Sequence, residues 1–246
     1  MNYAVLLSGG TGTRTGLDKP KQYLRCGKHM MVTHSLRAVL SSELVDAVYI
    51  VADPLWRDEI TADIKDAGLD SGKIRGFSDP GENRQCSVFN GLKSILSDID
   101  AKMRTDSLRG EDSVLIHDAA RPFLTVDLLR RCYDGLKGFD GVMPVLPMKD
   151  TVYLSRDGAS VSELLNREEI FAGQAPELFN LRKYYEANEK LLPDRILKIN
   201  GASEPAIMAG MSIAMIPGDE GNYKVTTNAD VKRFSEIIER EQGFGS

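Results

Sequence analysis

The run Leu6-Leu7-Ser8-Gly9-Gly10-Thr11-Gly12-Thr13-Arg14-Thr15-Gly16, followed by Lys19-Pro20-Lys21-Gln22, decides how the rest of the chain is read. It succeeds the apolar segment Tyr3 to Leu7, which predicts a short buried strand. Gly9, Gly10 and Gly12 remove side chains from the turn, so backbone N–H groups can converge on one concavity suited to phosphate oxygens. Arg14 adds a planar fork and Lys21 a mobile point charge, both suited to phosphate. A polyphosphate cradle is expected.

Two other glycine loops are excluded by spacing. A P-loop ends in Gly-Lys-Ser/Thr, whereas Gly12 is followed by Thr13-Arg14. The dinucleotide fingerprint needs a third Gly where Thr15 stands, and an acid far earlier than Asp53. Beyond the loop, Val32, Leu36, Val39 and Leu40 share one helical stripe, and Val45 to Ala52 is a second buried strand. Asp53-Pro54 reads as N-cap and first residue of a helix reaching about Ala67. Strand and helix alternate, which predicts an α/β fold: a doubly wound, mostly parallel sheet with helices on both faces. Ligands of such sheets sit at the carboxyl ends of the strands, where the first loop lies.

A chain of 246 residues suits one domain with a sizeable core, expected over 1–246. Its net charge of −5 gives no reason to expect nucleic acid as partner. Cys26, Cys86 and Cys132 lack C-x-x-C spacing, so neither a zinc site nor a disulfide framework follows. No apolar run approaches membrane-spanning length, and no signal peptide is read ahead of the first strand. A cytoplasmic protein without membrane partners is expected.

Further along, Gly81 to Val88 opens a helix with Val88, Leu92, Ile95 and Leu96 inward and Glu82 near its positive end. The segment Ser113 to Phe123 reads as a buried strand ending in His117-Asp118, then small residues that leave room for a ligand. Asp118 has two readings: a carboxylate for Mg²⁺ beside phosphates, or an N-cap or partner of Arg121. Thr151 to Leu154 and Val161 to Leu164, around Arg156-Asp157-Gly158, predict a hairpin that needs a partner surface. Pro176 to Leu192 contains a helix, Met211 to Ile216 a strand, and Asn228 is expected to cap a last helix.

These stretches resemble one family. Ser8-Gly9-Gly10-Thr11-Gly12-Thr13-Arg14, Pro20-Lys21-Gln22-Tyr23, His117-Asp118-Ala119-Ala120-Arg121-Pro122 and Asn222-Tyr223-Lys224-Val225-Thr226 are similar to the 2-C-methyl-D-erythritol 4-phosphate and ribitol 5-phosphate cytidylyltransferases. The resemblance covers nearly the whole chain. It implies a nucleotide-diphospho-sugar transferase fold with a protruding hairpin arm at about 148–171 that makes a homodimer. It implies transfer of a cytidylyl group from CTP to a polyol phosphate, with Mg²⁺ near Asp118. Catalytic roles fall on Arg14, Lys21 and Lys224. Nucleotide-binding roles fall on Ser8, Gly9, Gly10, Gly12, Gly81, Arg84, Ser87, Asp118 and Ala119; Thr151 and Arg167 take the polyol phosphate.

Two departures bear on the polyol. Asn200-Gly201-Ala202 stands where the methylerythritol branch has Thr-Asp-Glu, so the acid is replaced by Gly201, with Glu204 nearby as a partial substitute. Ala175 stands where that branch has Thr. Methylerythritol phosphate remains the first expectation and ribitol 5-phosphate the second. A non-catalytic nucleotide-binding protein is the alternative of another class.

Overall fold

A computed structural model describes residues 1–10, 19–101 and 111–243. In chain order the elements are β1 (Asn2–Leu7), β2 (Arg25–Cys26), β3 (His29–Met30), α1 (Met31–Ser41), β4 (Ala47–Val51), α2 (Arg57–Asp66), β5 (Ile74–Ser78) and α3 (Arg84–Ala101). They continue with β6 (Ser113–Asp118), α4 (Val126–Gly135), β7 (Gly141–Pro147), β8 (Val152–Leu154), β9 (Glu163–Leu165), β10 (Phe171–Gly173) and β11 (Glu177–Asn180). Last come α5 (Leu181–Glu189), α6 (Ser203–Met208), β12 (Ile213–Pro217) and α7 (Asn228–Gly243).

The main sheet runs β10-β7-β11-β6-β1-β4-β5, with β12 on β7. Strands β5, β4, β1 and β6 are mutually parallel, β12 is parallel to β7, and β11 lies antiparallel between β6 and β7. The expected mostly parallel sheet is observed. From β1 the chain goes outward through β4 to β5 and then returns to β6 on the other side of β1. The C-terminal ends of β1 and β6 therefore flank the point where strand order reverses, the usual ligand crevice of such sheets.

Alternation along the strands builds two cores. Ala4 and Leu6, Val48 and Ile50, Leu115 and Leu178 face one side with residues of α1, α2 and α4. Tyr3 and Val5, Tyr49 and Val51, Val114 and Ile116, and Phe179 face the other with residues of α3 and α5. There Phe179 stacks on Tyr184 at 4.1 Å between ring centroids. Each such fully buried side chain contributes about 1.5–3 kcal/mol, so a one-residue slip in β6 would forfeit several at once.

Helix starts follow the sequence with one correction. Asp53 accepts from the Leu55 N–H as expected, although Pro54 to Trp56 is a 3-10 turn ahead of α2. At α7 the cap is Thr227, not Asn228. Thr227 Oγ1 accepts from the Asp230 N–H, and Asp230 accepts in return from the Thr226 and Thr227 N–H groups, a capping box.

Candidate active site

The first loop is shaped by the residues that follow it. Within Lys21–Tyr23, a 3-10 turn, Gln22 and Tyr23 are buried. Gln22 Nε2 donates to the Ser8 carbonyl at 2.9 Å and also to that of Gly10, while the Tyr23 hydroxyl donates to the Ser8 carbonyl. Tyr23 is itself fixed by stacking on Trp56 at 4.6 Å. The backbone of Ser8 to Gly10 is thus held open from below, with the buried Ser8 hydroxyl left without a partner. A Cβ on Gly9 would lie 2.6 Å from the Pro80 ring, so only glycine lets this turn sit against the β5–α3 connection. Lys21 is half-buried at the start of the same turn. Gly12 and Arg14 lie outside the described residues.

Parallel pairing sets Leu7 beside both Val51 and Asp118. The Ala119 N–H donates to the Leu7 carbonyl at 3.0 Å, and Ser35 Oγ donates to the Ala119 carbonyl. Asp118 and Ala119 therefore stand beside the first loop, as expected. From the chain's last third, the Val225 N–H donates to the Ala120 carbonyl at 2.8 Å, and Asn222 Nδ2 donates to the Ala175 carbonyl at 2.8 Å. Arg121 Nη1 donates to the Asn222 carbonyl at 2.6 Å. These bonds dock Asn222-Tyr223-Lys224-Val225 against the end of β6 and carry Lys224 to Asp118.

Asp118 is gripped by two cations. Arg84 Nε and Nη2 donate to its Oδ1 at 3.2 and 2.8 Å, and Lys224 Nζ donates to its Oδ2 at 2.7 Å. Burial alone pushes this carboxyl up, but Arg84 and Lys224 outweigh it and hold it well below the usual carboxylate range. Asp118 is an ion-pair partner in this structure, of Arg84 and Lys224 rather than of the Arg121 side chain. His117 points to the opposite core; burial lowers its imidazole to about 4, and Nε2 meets the Arg121 carbonyl at 3.1 Å. It is a neutral structural residue.

A magnesium ion built into the protein does not fit this donor set. Both Asp118 oxygens already face cations, and no group of three or more His, Cys, Asp or Glu residues that could hold a metal occurs among the described residues. A hard cation here would need most of its ligands from phosphate and water.

The α3 start has a firm local role. Asn83 caps it, accepting from the Cys86 N–H at 2.7 Å. The Gly81 N–H donates to Ser87 Oγ at 2.9 Å, and that hydroxyl donates to the Asn83 carbonyl at 3.0 Å. A Cβ on Gly81 would lie 2.3 Å from that of Cys86. Ser87 thus shapes the turn with its proton and one lone pair, leaving one lone pair for a ligand.

Thr151 and Arg167 lie at the arm's two ends. Arg167 Nη1 donates to the Lys149 carbonyl at 3.1 Å. Among the described residues, neither Thr151 nor Arg167 has a hydrogen bond or ion pair to Ser8, Gly81, Asp118 or Lys224, while Lys149 at the start of the arm pairs with Glu220, ahead of Lys224. Glu204 does not stand in for the missing acid in a free form. Its Oε1 accepts from the Asn200 and Gly201 N–H groups at 3.0 and 2.8 Å, closing the start of α6.

Sequence reasoning missed Glu177. It faces Arg84, Asp118 and Arg121, is 8% exposed, and burial pushes its carboxyl up to about 7 against the lowering effect of Arg84. Its only sequence signal was an acid directly after Pro176, flanked by apolar residues.

The IspD family model, described as 2-C-methyl-D-erythritol 4-phosphate cytidylyltransferase, matches residues 3–240. The chain belongs to this family. It is 32% identical to the 2-C-methyl-D-erythritol 4-phosphate cytidylyltransferase of Nitrosomonas eutropha, over 98% of this chain and 97% of that one. It is 33% identical to the bifunctional enzyme IspD/IspF of Maricaulis maris, where the match spans 97% of this chain and 57% of the longer protein. Among solved structures, 4-diphosphocytidyl-2C-methyl-D-erythritol synthase from Anaerococcus prevotii superposes with a TM-score of 0.78 at 23% identity, covering 97% and 96% of the two chains. At that identity the superposition speaks for the fold. Membership makes this chain a nucleotidyltransferase of the cytidylyltransferase class.

Proposed function

We propose that this protein transfers a cytidylyl group from CTP to 2-C-methyl-D-erythritol 4-phosphate, releasing pyrophosphate, in the isoprenoid precursor pathway. The observation that carries this reading is the Arg84–Asp118–Lys224 cluster at the strand-order reversal of a chain belonging to that family. The incoming phosphomonoester has a second pKa of about 6 and is largely dianionic at neutral pH, so it attacks the α-phosphorus without a general base. The neutral, bonded His117 agrees with this. Catalysis then rests on in-line positioning and charge neutralisation. Lys224, presented by Asp118, and Lys21 are assigned to the charge that builds at the α-phosphate. Arg14 shares that assignment from the sequence pattern, and Gly9, Gly10 and Gly12 are assigned to the leaving pyrophosphate. Ser8, Gly81, Ser87 and Ala119 take the base and ribose; the free Ser8 hydroxyl supports this.

Mg²⁺ is assigned to the substrate, carried on CTP, where it would shield the phosphates. Thr151 and Arg167 are assigned to the polyol phosphate of the neighbouring subunit in a homodimer. Supporting this, the arm and its return expose Tyr153, Val161, Leu164 and Phe171. A reducing, cytoplasmic setting is inferred from three free cysteines, and no helix among the described residues is long and apolar enough to cross a membrane.

The Gly201 departure favours ribitol 5-phosphate as a second substrate reading, since the acid of the methylerythritol branch is absent and Glu204 is bonded to backbone. Pyrophosphate release from CTP with a panel of polyol phosphates tests both. Turnover with 2-C-methyl-D-erythritol 4-phosphate alone is expected. Turnover with ribitol 5-phosphate alone would move the assignment, and CTP binding without turnover on any polyol would leave a nucleotide-binding protein.

A further inference from the structure

The sheet places a second carboxyl beneath the Arg84–Asp118 pair. In the antiparallel ladder Glu177 lies opposite Ile116, two residues before Asp118, and two residues along β11 from Phe179. Ile116 and Phe179 both face the α3 core, so by strand alternation Glu177 and Asp118 face it too. The groups around Glu177 come from every element packed there: Arg84 from α3, Asp118 from β6, Arg121 just after β6, Tyr184 from α5 and Ser203 from α6. For Arg84, Glu177 is the strongest charged influence after Asp118.

Two unmet atoms lie in this cluster. Arg84 directs Nε and Nη2 to Asp118 and has a buried Nη1 without a partner; Glu177 has a buried Oε2 without a partner. Each of these buried atoms lacks what the other offers, a donor on Arg84 and an acceptor on Glu177, within one cluster of charges. A carboxyl followed in its strand by Leu178 and Phe179 is also costly to bury unless it serves a charged partner.

We propose that Glu177 is a positioning residue for Arg84: with Asp118 on one edge of the guanidinium and Glu177 on another, Arg84 is fixed so that Asp118 keeps Oδ2 aimed at Lys224. Glu177 touches neither substrate; it acts through Arg84. The kinetic form of this inference rests on the reading of the cleft as the CTP site.

The test compares Glu177→Ala, Glu177→Gln and Arg84→Lys, with the double variants, by steady-state kinetics and by NMR of the arginine Nε–H signals in the ligand-free protein. Glu177→Ala is expected to lower kcat/KM for CTP about tenfold with the KM for the polyol phosphate within twofold. Glu177→Gln, which keeps an acceptor oxygen, is expected to stay within about threefold of wild type. Arg84→Lys/Glu177→Ala should be no worse than Arg84→Lys alone, because both changes break one unit. The Arg84 Nε–H signal should stay sharp in wild type and Glu177→Gln and broaden in Glu177→Ala. Should Glu177→Ala not fold, Glu177→Met fills the same space and carries the same comparison. Independent, multiplying losses, or an Arg84 signal unmoved by the loss of Glu177, would overturn the proposal. If wild type shows no turnover with CTP, the functional reading fails, while the ligand-free NMR comparison still decides the role of Glu177.

Discussion

Replacing Glu177 by Gln should make the protein more stable at alkaline pH, and the size of the gain follows from burial. In the unfolded chain this carboxyl ionises near the ordinary 4.5; in the fold burial delays ionisation to about 7. A raised acid stabilises the fold fully below the unfolded value and loses that contribution as pH climbs through the folded value. Between pH 5 and pH 8 the loss comes to about 2–3 kcal/mol, taking 1.36 kcal/mol per tenfold change in proton affinity. Glutamine does not ionise, so that slope disappears. Asp118 is ionised in both folded and unfolded chains across this window and leaves the slope unchanged. His117, lowered to about 4, gives a slope of the opposite sign between about 4 and 6.5, present equally in both proteins. Urea unfolding at pH 5, 6.5 and 8 measures the difference directly. The gap between Glu177→Gln and wild type should widen with pH by about 2–3 kcal/mol, equivalent to roughly 4–12 °C in Tm for a chain of this size. Parallel curves would refute the reasoning, because they would mean that the carboxyl is hydrated or fully paired in the fold.

Other outcomes follow from the assigned roles. Lys224→Ala and Lys21→Ala should each lower kcat by about 10²–10³ with a smaller rise in the KM for CTP, since both meet charge that grows at the α-phosphate; steady-state kinetics showing only a raised KM would contradict this. Calorimetry should show CTP bound much more tightly than ATP or GTP, because groups placed for one base are left unpaired by another. In an equal co-refolded mixture of Lys21→Ala and Arg167→Ala chains, about half the dimers are mixed and each rebuilds one intact site, so roughly a quarter of wild-type activity should return. A mixture as inactive as its parents, with mixed dimers shown to form, would place each site within one chain.

Features written in a continuous stretch were legible. The apolar runs ending at Leu7 and Asp118 predicted two strands whose ends share one edge, and the register Leu7 to Asp118 bears this out. The hairpin came from β-formers around Asp157-Gly158 and is present as β8 and β9. What was not legible depends on partners far along the chain. β11 is four residues long and runs directly into α5, so its apolar content reads as part of a helix. Its strand state is set by β6 on one side and β7 on the other. β5, Ile74-Arg75-Gly76-Phe77-Ser78, carries a charge and a glycine, and exists as a strand because β4 offers it an edge. Pro20-Lys21-Gln22-Tyr23 drew attention to its lysine. Gln22 and Tyr23 stood in the same motif, but their part in holding the loop backbone was not legible, because it runs through carbonyl groups: Gln22 bonds those of Ser8 and Gly10, and Tyr23 that of Ser8.

The charge arrangement explains why Lys224 was found and Glu177 was not. Three cations, Arg84, Arg121 and Lys224, face two carboxyls, Asp118 and Glu177, at the buried end of the cleft. Lys224 is the most exposed of the cluster's directly paired members and hangs from Asp118 by a single ammonium contact, whereas Arg84 holds the same carboxylate by two bonds. A polyanion arriving at the cleft can therefore recruit Lys224 while Arg84 keeps Asp118 compensated. The lysine needs a motif to be recognised, because its partner is 106 residues away. Glu177 works one layer lower, by fixing the guanidinium that fixes Asp118. Such a residue becomes visible only when the antiparallel pairing of β11 with β6 puts its side chain on the same face as Asp118.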